Sequence, residues 1–204
     1  MNQFFKGIIS VVVLTILFVV SVFYNKKSYH FTKSNDAIAT VHPTYVDDSQ
    51  FIPGYGKSFI GFKEGIAYKE SRGKYSTVNS LGYMGKYQFG SNTLASLKIK
   101  DTTRFINSSK IQEKAFLEHV SRNKWLLKDE IEQYSGKTIR GVLITESGIL
   151  AAAHLAGVGS IKKFLHSNGK KRAKDAYGTK IEYYLRDFAN YDLSLIDAKQ
   201  YPKM

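Results

Sequence analysis

Glu70 is the residue of this sequence best suited to acid/base chemistry. Apolar residues at helical spacing between Phe59 and Ala67 predict a first helix that ends near Glu70 and Ser71. The C-terminus of a helix carries partial negative charge, which disfavours a carboxylate there, and nearby apolar packing raises the pKa of a carboxyl group further. A glutamic acid that stays protonated near neutral pH can donate a proton to a leaving oxygen and later accept one.

The segment that follows Glu70 is rich in glycine, tyrosine and serine, which predicts loops or a small hairpin over residues 72–90. Ser71 either hydrogen-bonds Glu70 or a ligand, or only ends the helix. Tyr83 either stacks on a ring of a ligand or packs into the core. Gln88 is expected to donate to a polar ligand group, with support of the local backbone as the alternative.

Glu146 is the main rival carboxylate. It follows Thr145, whose side chain is expected to cap a helix that runs to Gly157. The dipole at a helix N-terminus stabilises a negative charge and lowers the pKa of a carboxyl group. Glu146 is therefore a candidate second carboxylate rather than a general acid, and Asp101 is a further candidate for that role.

Several motifs resemble those of the superfamily of lytic transglycosylases and goose-type lysozymes. A Glu-Ser pair that closes a helix, followed by a glycine-punctuated turn, is similar to the catalytic segment of that superfamily: Glu70, Ser71, Gly82, Met84, Gly85, Gln88 and Phe89. Ala156, Gly157 and Gly159 resemble its groove-lining segment, in which His154 stands where a tyrosine is usual. Tyr184 resembles its late active-site tyrosine, and Tyr183 is the adjacent competitor.

The resemblance covers residues 55–190 and implies both a fold and a function. The implied fold is mainly α, a lysozyme-like helical domain with a small loop or hairpin region. The implied activity is cleavage of the β-1,4 bond between MurNAc and GlcNAc in peptidoglycan, with Glu70 as the single acid/base and with no metal or cofactor. The implied substrate-binding residues are Ser71, Tyr83, Met84, Gln88, Phe89, His154 and Tyr184.

Two other functions remain open at this point. A muramidase of the same fold would use water and a second acid such as Glu146. A non-catalytic module would bind peptidoglycan without cleaving it.

The remaining helix signals complete a mainly helical domain. Residues 91–97 and 160–165 are expected to form short helices. Ser109 and Gln112 have the spacing of a capping box at the start of a longer helix. Thr179 is expected to cap a last amphipathic helix that buries Tyr184.

The N-terminal region predicts a membrane attachment. After a short flank, residues 1–6, the predominantly apolar run of residues 7–24, which contains no charged residue, is long enough for a transmembrane anchor, with a signal peptide as the alternative. Residues 25–54 are expected to form a flexible tether, and residues 55–204 the catalytic domain. The expected location is a single-pass membrane protein with its domain on the periplasmic or extracytoplasmic side, or an exported protein if the segment is cleaved.

Composition narrows the range of partners. The chain has 204 residues, no cysteine and a formal net charge of +13, which favours an anionic partner. No nucleic-acid-binding motif is present, so the expected partners are peptidoglycan strands and the membrane rather than nucleic acid. Membership of an envelope-spanning complex is left open.

Overall fold

The computed structural model describes residues 56–172, 174, 178–201 and 203–204. This part of the chain is mainly helical, which confirms the predicted mainly-α class. Within it, no helix has both the length and the apolar composition needed to cross a bilayer. The predicted flank, membrane segment and tether, residues 1–54, lie outside the described residues.

The described residues form eight helices and one two-stranded antiparallel sheet. The helices are α1 (Phe59–Ser71), α2 (Ser91–Ser96), α3 (Thr102–Ile106), α4 (Ser109–Leu126), α5 (Lys128–Tyr134), α6 (Glu146–Ala156), α7 (Val158–His166) and α8 (Ile181–Asp187). The sheet consists of β1 (Thr138–Ile139) and β2 (Val142–Leu143), with Thr138 opposite Leu143.

Helix α6 is the centre of the domain. Every residue from Ser147 to Ala153 is buried, and the helix packs against α4, α7 and α8. A helix with small or apolar residues on all sides is stable only when neighbours cover it all round. Its ends confirm the prediction, because the Thr145 side chain accepts a hydrogen bond from the Gly148 amide and Gly157 follows the last turn.

The predicted cap of α4 is wrong by one residue. Ser108, not Ser109, is the N-cap, and its hydroxyl accepts from the Ile111 amide at 3.3 Å. Gln112 does not reach back to the cap. Its side chain instead accepts from the Lys86 amide and donates to the carbonyls of Tyr75, Phe105 and Ile106. The backbone groups of the neighbouring loop are buried and need these partners, whereas the amides at a solvated helix end can hydrogen-bond to water.

The loop predicted for residues 72–90 is confirmed, whereas the start of the last helix differs from expectation. Residues 72–90 contain isolated bridges, Val78 with Met84 and Met84 with Phe89, whereas the two-stranded sheet lies later in the chain, at β1 and β2. Helix α8 starts after Lys180 and has no side-chain cap, so Thr179 does not cap it. The buried face predicted for α8 is confirmed, since Ile181, Tyr184 and Leu185 are buried.

Candidate active site

Glu70 stands one residue before the end of α1. The helix ends because Arg72 adopts a left-handed conformation with φ 57°. The next residue, Gly73, also has a positive φ, of 75°. Phe62, Ile66 and Ala67, which precede Glu70 by eight, four and three positions and so lie towards the same side of the helix, are buried in the core. This arrangement leaves the Glu70 side chain half-buried on the wall of a cleft.

Tyr184 is the residue from the distant part of the chain that reaches Glu70. Its hydroxyl donates a hydrogen bond of 2.7 Å to Oε1 of Glu70. The tyrosine is only 4% exposed, so core packing fixes its ring. Tyr183, the adjacent competitor, is 42% exposed and points away from the core. Tyr184 is therefore the tyrosine that orients the carboxyl group.

A tight turn follows Glu70 and forms the next part of the site. Met84 and Phe89 exchange two backbone hydrogen bonds, of 3.1 and 2.9 Å, and close the turn between them. Gly85 has a φ of +82°, and a Cβ at this position would collide with the Gln112 side chain. Gln88 is also left-handed, with φ 49°, and its amide nitrogen donates to the carbonyls of Gly85 and Thr77. Gln88 thus supports the turn even though it lines the cleft.

The turn is attached to α1 by Ser71. The Ser71 side chain is buried, and its hydroxyl donates to the Lys86 carbonyl at 2.8 Å. Since Ser71 directly follows Glu70, this hydrogen bond fixes the position of the turn relative to the carboxyl group.

A buried ion-pair network lies behind the turn. The Lys86 ammonium, whose side chain is 7% exposed, donates to Glu64 and Glu113, each at 2.8 Å. Glu113 also accepts from Lys63 at 2.6 Å and from the hydroxyls of Tyr75 and Tyr87. Burial alone would raise the pKa of Glu113, but these hydrogen bonds lower it to about 2. Burial alone would lower the pKa of Lys86, but its two carboxylate partners raise it. Both groups are therefore charged over the whole physiological pH range.

The cleft beside Glu70 has a volume of about 580 Å³. Among its described lining residues, Glu70 is the one carboxylate, while Arg122 and Lys174 are cationic. The remaining lining side chains are largely polar or small. They come from the loop and turn (Asn79, Tyr83, Gln88), from α2 (Asn92, Thr93, Ser96), from α4 (His119, Asn123, Leu126), and from the end of α6 and its junction with α7 (Ala153, His154, Leu155, Ala156, Gly157, Val158). Such a lining suits a polar, hydroxyl-rich ligand.

Two histidines face each other in the wall of this cleft. His154 and His119 have ring centroids 5.3 Å apart, and Nε2 of His154 lies 3.0 Å from the Tyr87 carbonyl. Because a carbonyl only accepts, Nε2 carries the proton and Nδ1 of His154 is an acceptor. Among the described residues this buried Nδ1 has no hydrogen-bond partner. Burial lowers the pKa of His154 to about 4, although the hydrogen bond to Tyr87 opposes the shift.

His119 is shifted further. Burial, the charge of His154 and the charge of Arg122 together lower its pKa to about 3. Both imidazoles are therefore neutral at pH 7.

The structure brings four of the predicted residues to the cleft and adds a fifth behind Glu70. Glu70, Tyr83, Gln88 and His154 line it, and Tyr184 contacts Glu70 from the core side. Tyr83 is 39% exposed, which leaves its ring accessible to a ligand.

Three other residues predicted to contact substrate do not line the cleft. Ser71 is turned towards the Lys86 carbonyl, and Met84 is half-buried against the core. Phe89 is 2% exposed and packs edge-on against Phe105. All three side chains stabilise the turn. Met84 and Phe89 do so by burying apolar surface, and Ser71 by its hydrogen bond to the backbone.

The candidate second carboxylates are also outside the cleft. Glu146 pairs with Lys124 at 2.7 Å at the start of α6. Asp101 is the N-cap of α3, where it accepts from the Arg104 amide at 2.8 Å. Each therefore has a structural partner at a helix N-terminus.

Sequence reasoning missed the contribution of α4. His119, Arg122 and Asn123 recur at spacings of three and four and so share one face of this helix. The Asn123 amide nitrogen lies 3.0 Å from Nε2 of His119. In the sequence, these polar residues form a stripe beside the apolar face of a long helix, which could have indicated a ligand-binding surface. Only the packing of α4 against α6 makes that stripe a wall of the cleft.

Comparison of the chain with protein-family models, curated proteins and solved structures finds no match.

Proposed function

We propose that this protein is a peptidoglycan lytic transglycosylase with a lysozyme-like fold. The observation that carries the proposal is Glu70, half-buried at a helix end in a polar cleft and held by the Tyr184 hydroxyl. The sequence resemblance adds support, because the Glu-Ser pair, the turn of residues 82–89 and Tyr184 come from separate parts of the motif set and converge on one carboxyl group.

The cleft favours a mechanism with one carboxylate over one with two. A hydrolase with a general acid and a second carboxylate holds the two groups about 5–10 Å apart across the scissile bond. Glu70 is the one carboxylate among the described residues that line this cleft, and Glu146 is paired with Lys124 elsewhere. A single acid/base suffices when the nucleophile belongs to the substrate.

The proposed reaction balances without water. Glu70 donates its proton to the glycosidic oxygen as the bond between that oxygen and C1 of MurNAc breaks. The resulting carboxylate then accepts the proton of the C6 hydroxyl as that oxygen bonds to C1. A 1,6-anhydro end forms, and Glu70 regains its proton. Tyr184 fixes the rotation of the carboxyl group through both steps, which limits the cost of reorganisation.

Digestion of purified sacculi tests the proposal. The parent protein should release muropeptides with anhydro ends, which mass spectrometry finds lighter than hydrolysed ends by one water. Glu70→Gln should release none, while the control Glu146→Gln should release the same products as the parent at a similar rate. The control removes a carboxylate that pairs with Lys124 outside the cleft.

Each other outcome assigns a different function. Hydrolysed ends, with loss of activity in both variants, would establish a two-carboxylate muramidase. Binding to sacculi without release of sugars by the parent would establish a non-catalytic peptidoglycan-binding module. Undiminished release by Glu70→Gln would overturn the assignment of Glu70.

We further propose that residues 7–24 anchor the protein in the cytoplasmic membrane with the cleft on the peptidoglycan side. The apolar run supports this proposal. Protease treatment of spheroplasts should degrade the domain only if it lies outside the membrane. Resistance of the domain in intact spheroplasts, with degradation after lysis, would place it on the wrong side for this substrate.

A further inference from the structure

Arg122 is a cation on the cleft wall that no step of the proposed reaction uses. It lies on α4, and its Nη1 donates a hydrogen bond of 2.9 Å to the Ser96 carbonyl of α2. This contact ties the half-buried guanidinium to the wall. An arginine has five N–H donors in a planar fork, so one hydrogen bond to a carbonyl leaves capacity for a bidentate partner.

The charge of Arg122 is not balanced within the described part of the chain. No carboxylate of the described residues forms an ion pair with it, whereas Lys124, two residues later on the same helix, pairs with Glu146 at 2.7 Å. Lys174 also lines the cleft and has no carboxylate partner among the described residues. The described lining of the cleft therefore carries two cationic side chains and the single carboxyl group of Glu70.

The guanidinium acts on the interior of the cleft. Asn123, the residue after Arg122, contacts His119, and the charge of Arg122 contributes, after burial and the charge of His154, to the lowered pKa of His119. His119 and Arg122 lie one turn apart on the same helix and both line the cleft, so the charge of Arg122 acts on the same space as a ligand bound there.

We propose that Arg122 binds a carboxylate of the muramyl substituent and so selects which stretch of glycan enters the cleft. The inference rests on the proposed function. The sugar backbone of such a strand is neutral, and its free carboxylates belong to the stem peptide or, on a muramyl residue without a peptide, to the lactyl group. A guanidinium recognises a carboxylate through two parallel hydrogen bonds, and a second cation such as Lys174 strengthens the attraction. The subsite thus distinguishes peptidoglycan from an uncharged glycan of the same linkage.

Binding of defined fragments to full-length protein that carries Glu70→Gln tests the subsite. Three ligands are needed: a GlcNAc-MurNAc disaccharide with its stem peptide, the same compound with every carboxylate converted to an amide, and the disaccharide without peptide. Calorimetry should give an affinity about tenfold higher for the acid than for the amide, which corresponds to one charge-assisted hydrogen-bonded pair. Adding Arg122→Gln should remove most of that difference, and Lys174 accounts for any small remainder.

Arg104→Gln is the matched control. Arg104 is an exposed arginine on α3 that does not line the cleft, so the variant removes the same charge elsewhere. It should keep the preference for the acid. If Arg122→Gln does not fold, Arg122→Lys takes its place: it keeps the charge but lacks the planar fork, and it should lower the preference for the acid. Dependence on Arg122 with the peptide-free disaccharide would assign the lactyl carboxylate, and dependence only with the peptide would assign the stem.

The failures are distinguishable. Equal affinity for acid and amide, or an acid preference that survives Arg122→Gln undiminished, overturns the subsite and leaves the proposed function intact. Absence of binding to all three ligands, together with inactivity of the parent protein on sacculi, overturns the proposed function and the subsite with it.

Discussion

The Tyr184 hydroxyl donates a 2.7 Å hydrogen bond to Oε1 of Glu70 across 114 positions of sequence. A second contact joins the same two helices, because Lys69 pairs with Asp187 at 2.7 Å and lies over the Tyr184 ring. These two contacts hold the C-terminal end of α1 against α8 beside the acid/base residue. The position of Glu70 in the cleft depends on both.

Tyr184→Phe should lower kcat by about ten- to a hundredfold and leave KM nearly unchanged. The change removes a hydrogen bond to a carboxyl group, of about 1.5–3 kcal/mol, without removing a residue that lines the cleft. Initial rates on soluble glycan strands measure both constants. Tyr183→Phe is the matched control, since Tyr183 is the exposed neighbour, and it should behave like the parent. Equal losses in the two variants would contradict the role assigned to Tyr184.

Gly148→Ala should destabilise the domain by about 2 kcal/mol and also reduce activity. A Cβ on Gly148 would lie 2.6 Å from the Leu185 carbonyl, so α6 and α8 would have to separate, and Tyr184 would move with α8. Denaturant unfolding measures the loss. Gly159→Ala, on α7 with no atom within 4 Å, is the control and should be neutral or stabilising by up to about 1 kcal/mol. A stable and fully active Gly148→Ala protein would show that the helix contact is not required.

The free energy of unfolding should fall as the pH is lowered from 6.5 towards 4.5. His119 and His154 have folded pKa values of about 3 and about 4, below their ordinary value of 6.5. The unfolded chain therefore binds more protons in this window, and stability present above pH 6.5 is lost as the pH falls. Over the two pH units between 6.5 and 4.5, each histidine can lower the free energy of unfolding by up to roughly 3 kcal/mol, since one unit corresponds to about 1.4 kcal/mol.

Chemical denaturation at a series of pH values measures this slope. His154→Gln should reduce it, because a glutamine in that place does not titrate. The Glu113 carboxyl, with its pKa near 2, contributes only below pH 4.5, where its ordinary value lies, so it does not interfere with the comparison. An unchanged slope in His154→Gln would mean that the folded imidazole titrates normally.

Glu113→Ala should cost about 3 kcal/mol of stability. The change removes one of two carboxylate partners from the buried Lys86 ammonium and leaves Lys63 and two tyrosine hydroxyls without their shared acceptor. Combining it with Lys86→Met should recover part of the loss, since the buried cation is then removed as well. Glu132→Ala, an exposed change on α5, should stay within about 0.5 kcal/mol of the parent. Additive losses in the double variant would argue against coupling between Lys86 and Glu113.

Local patterns predicted the elements more reliably than the contacts between them. Apolar spacing placed α1 up to Glu70 and Ser71, and the Thr145 cap and Gly157 set the ends of α6. These signals work because caps and periodic apolar faces act within one or two turns of chain. The cap of α4 was displaced by a single residue, since Gln112 is drawn into the core by the unpaired backbone of a distant loop.

In the turn as well, the sequence predicted the segment but not the contacts of its side chains. Sequence identified residues 82–89 as the segment beside Glu70, but it treated Ser71, Met84 and Phe89 as ligand contacts. In the folded chain these side chains are turned inward and hold the segment, while Tyr83 and Gln88 face the cleft. Sequence spacing does not specify which face of an irregular turn is solvated, because that depends on what packs behind it.

The sequence by itself determined that a glutamate would end the first helix, that the domain would be mainly helical, and that a glycine-rich turn would follow the glutamate. Each of these rests on interactions between residues close in the chain. Only the tertiary structure decided that Tyr184 rather than Tyr183 contacts Glu70, that Glu146 stays outside the cleft, and that Arg122 and His119 enter it. Those outcomes depend on how α4, α6 and α8 pack, and packing joins residues that no local pattern relates.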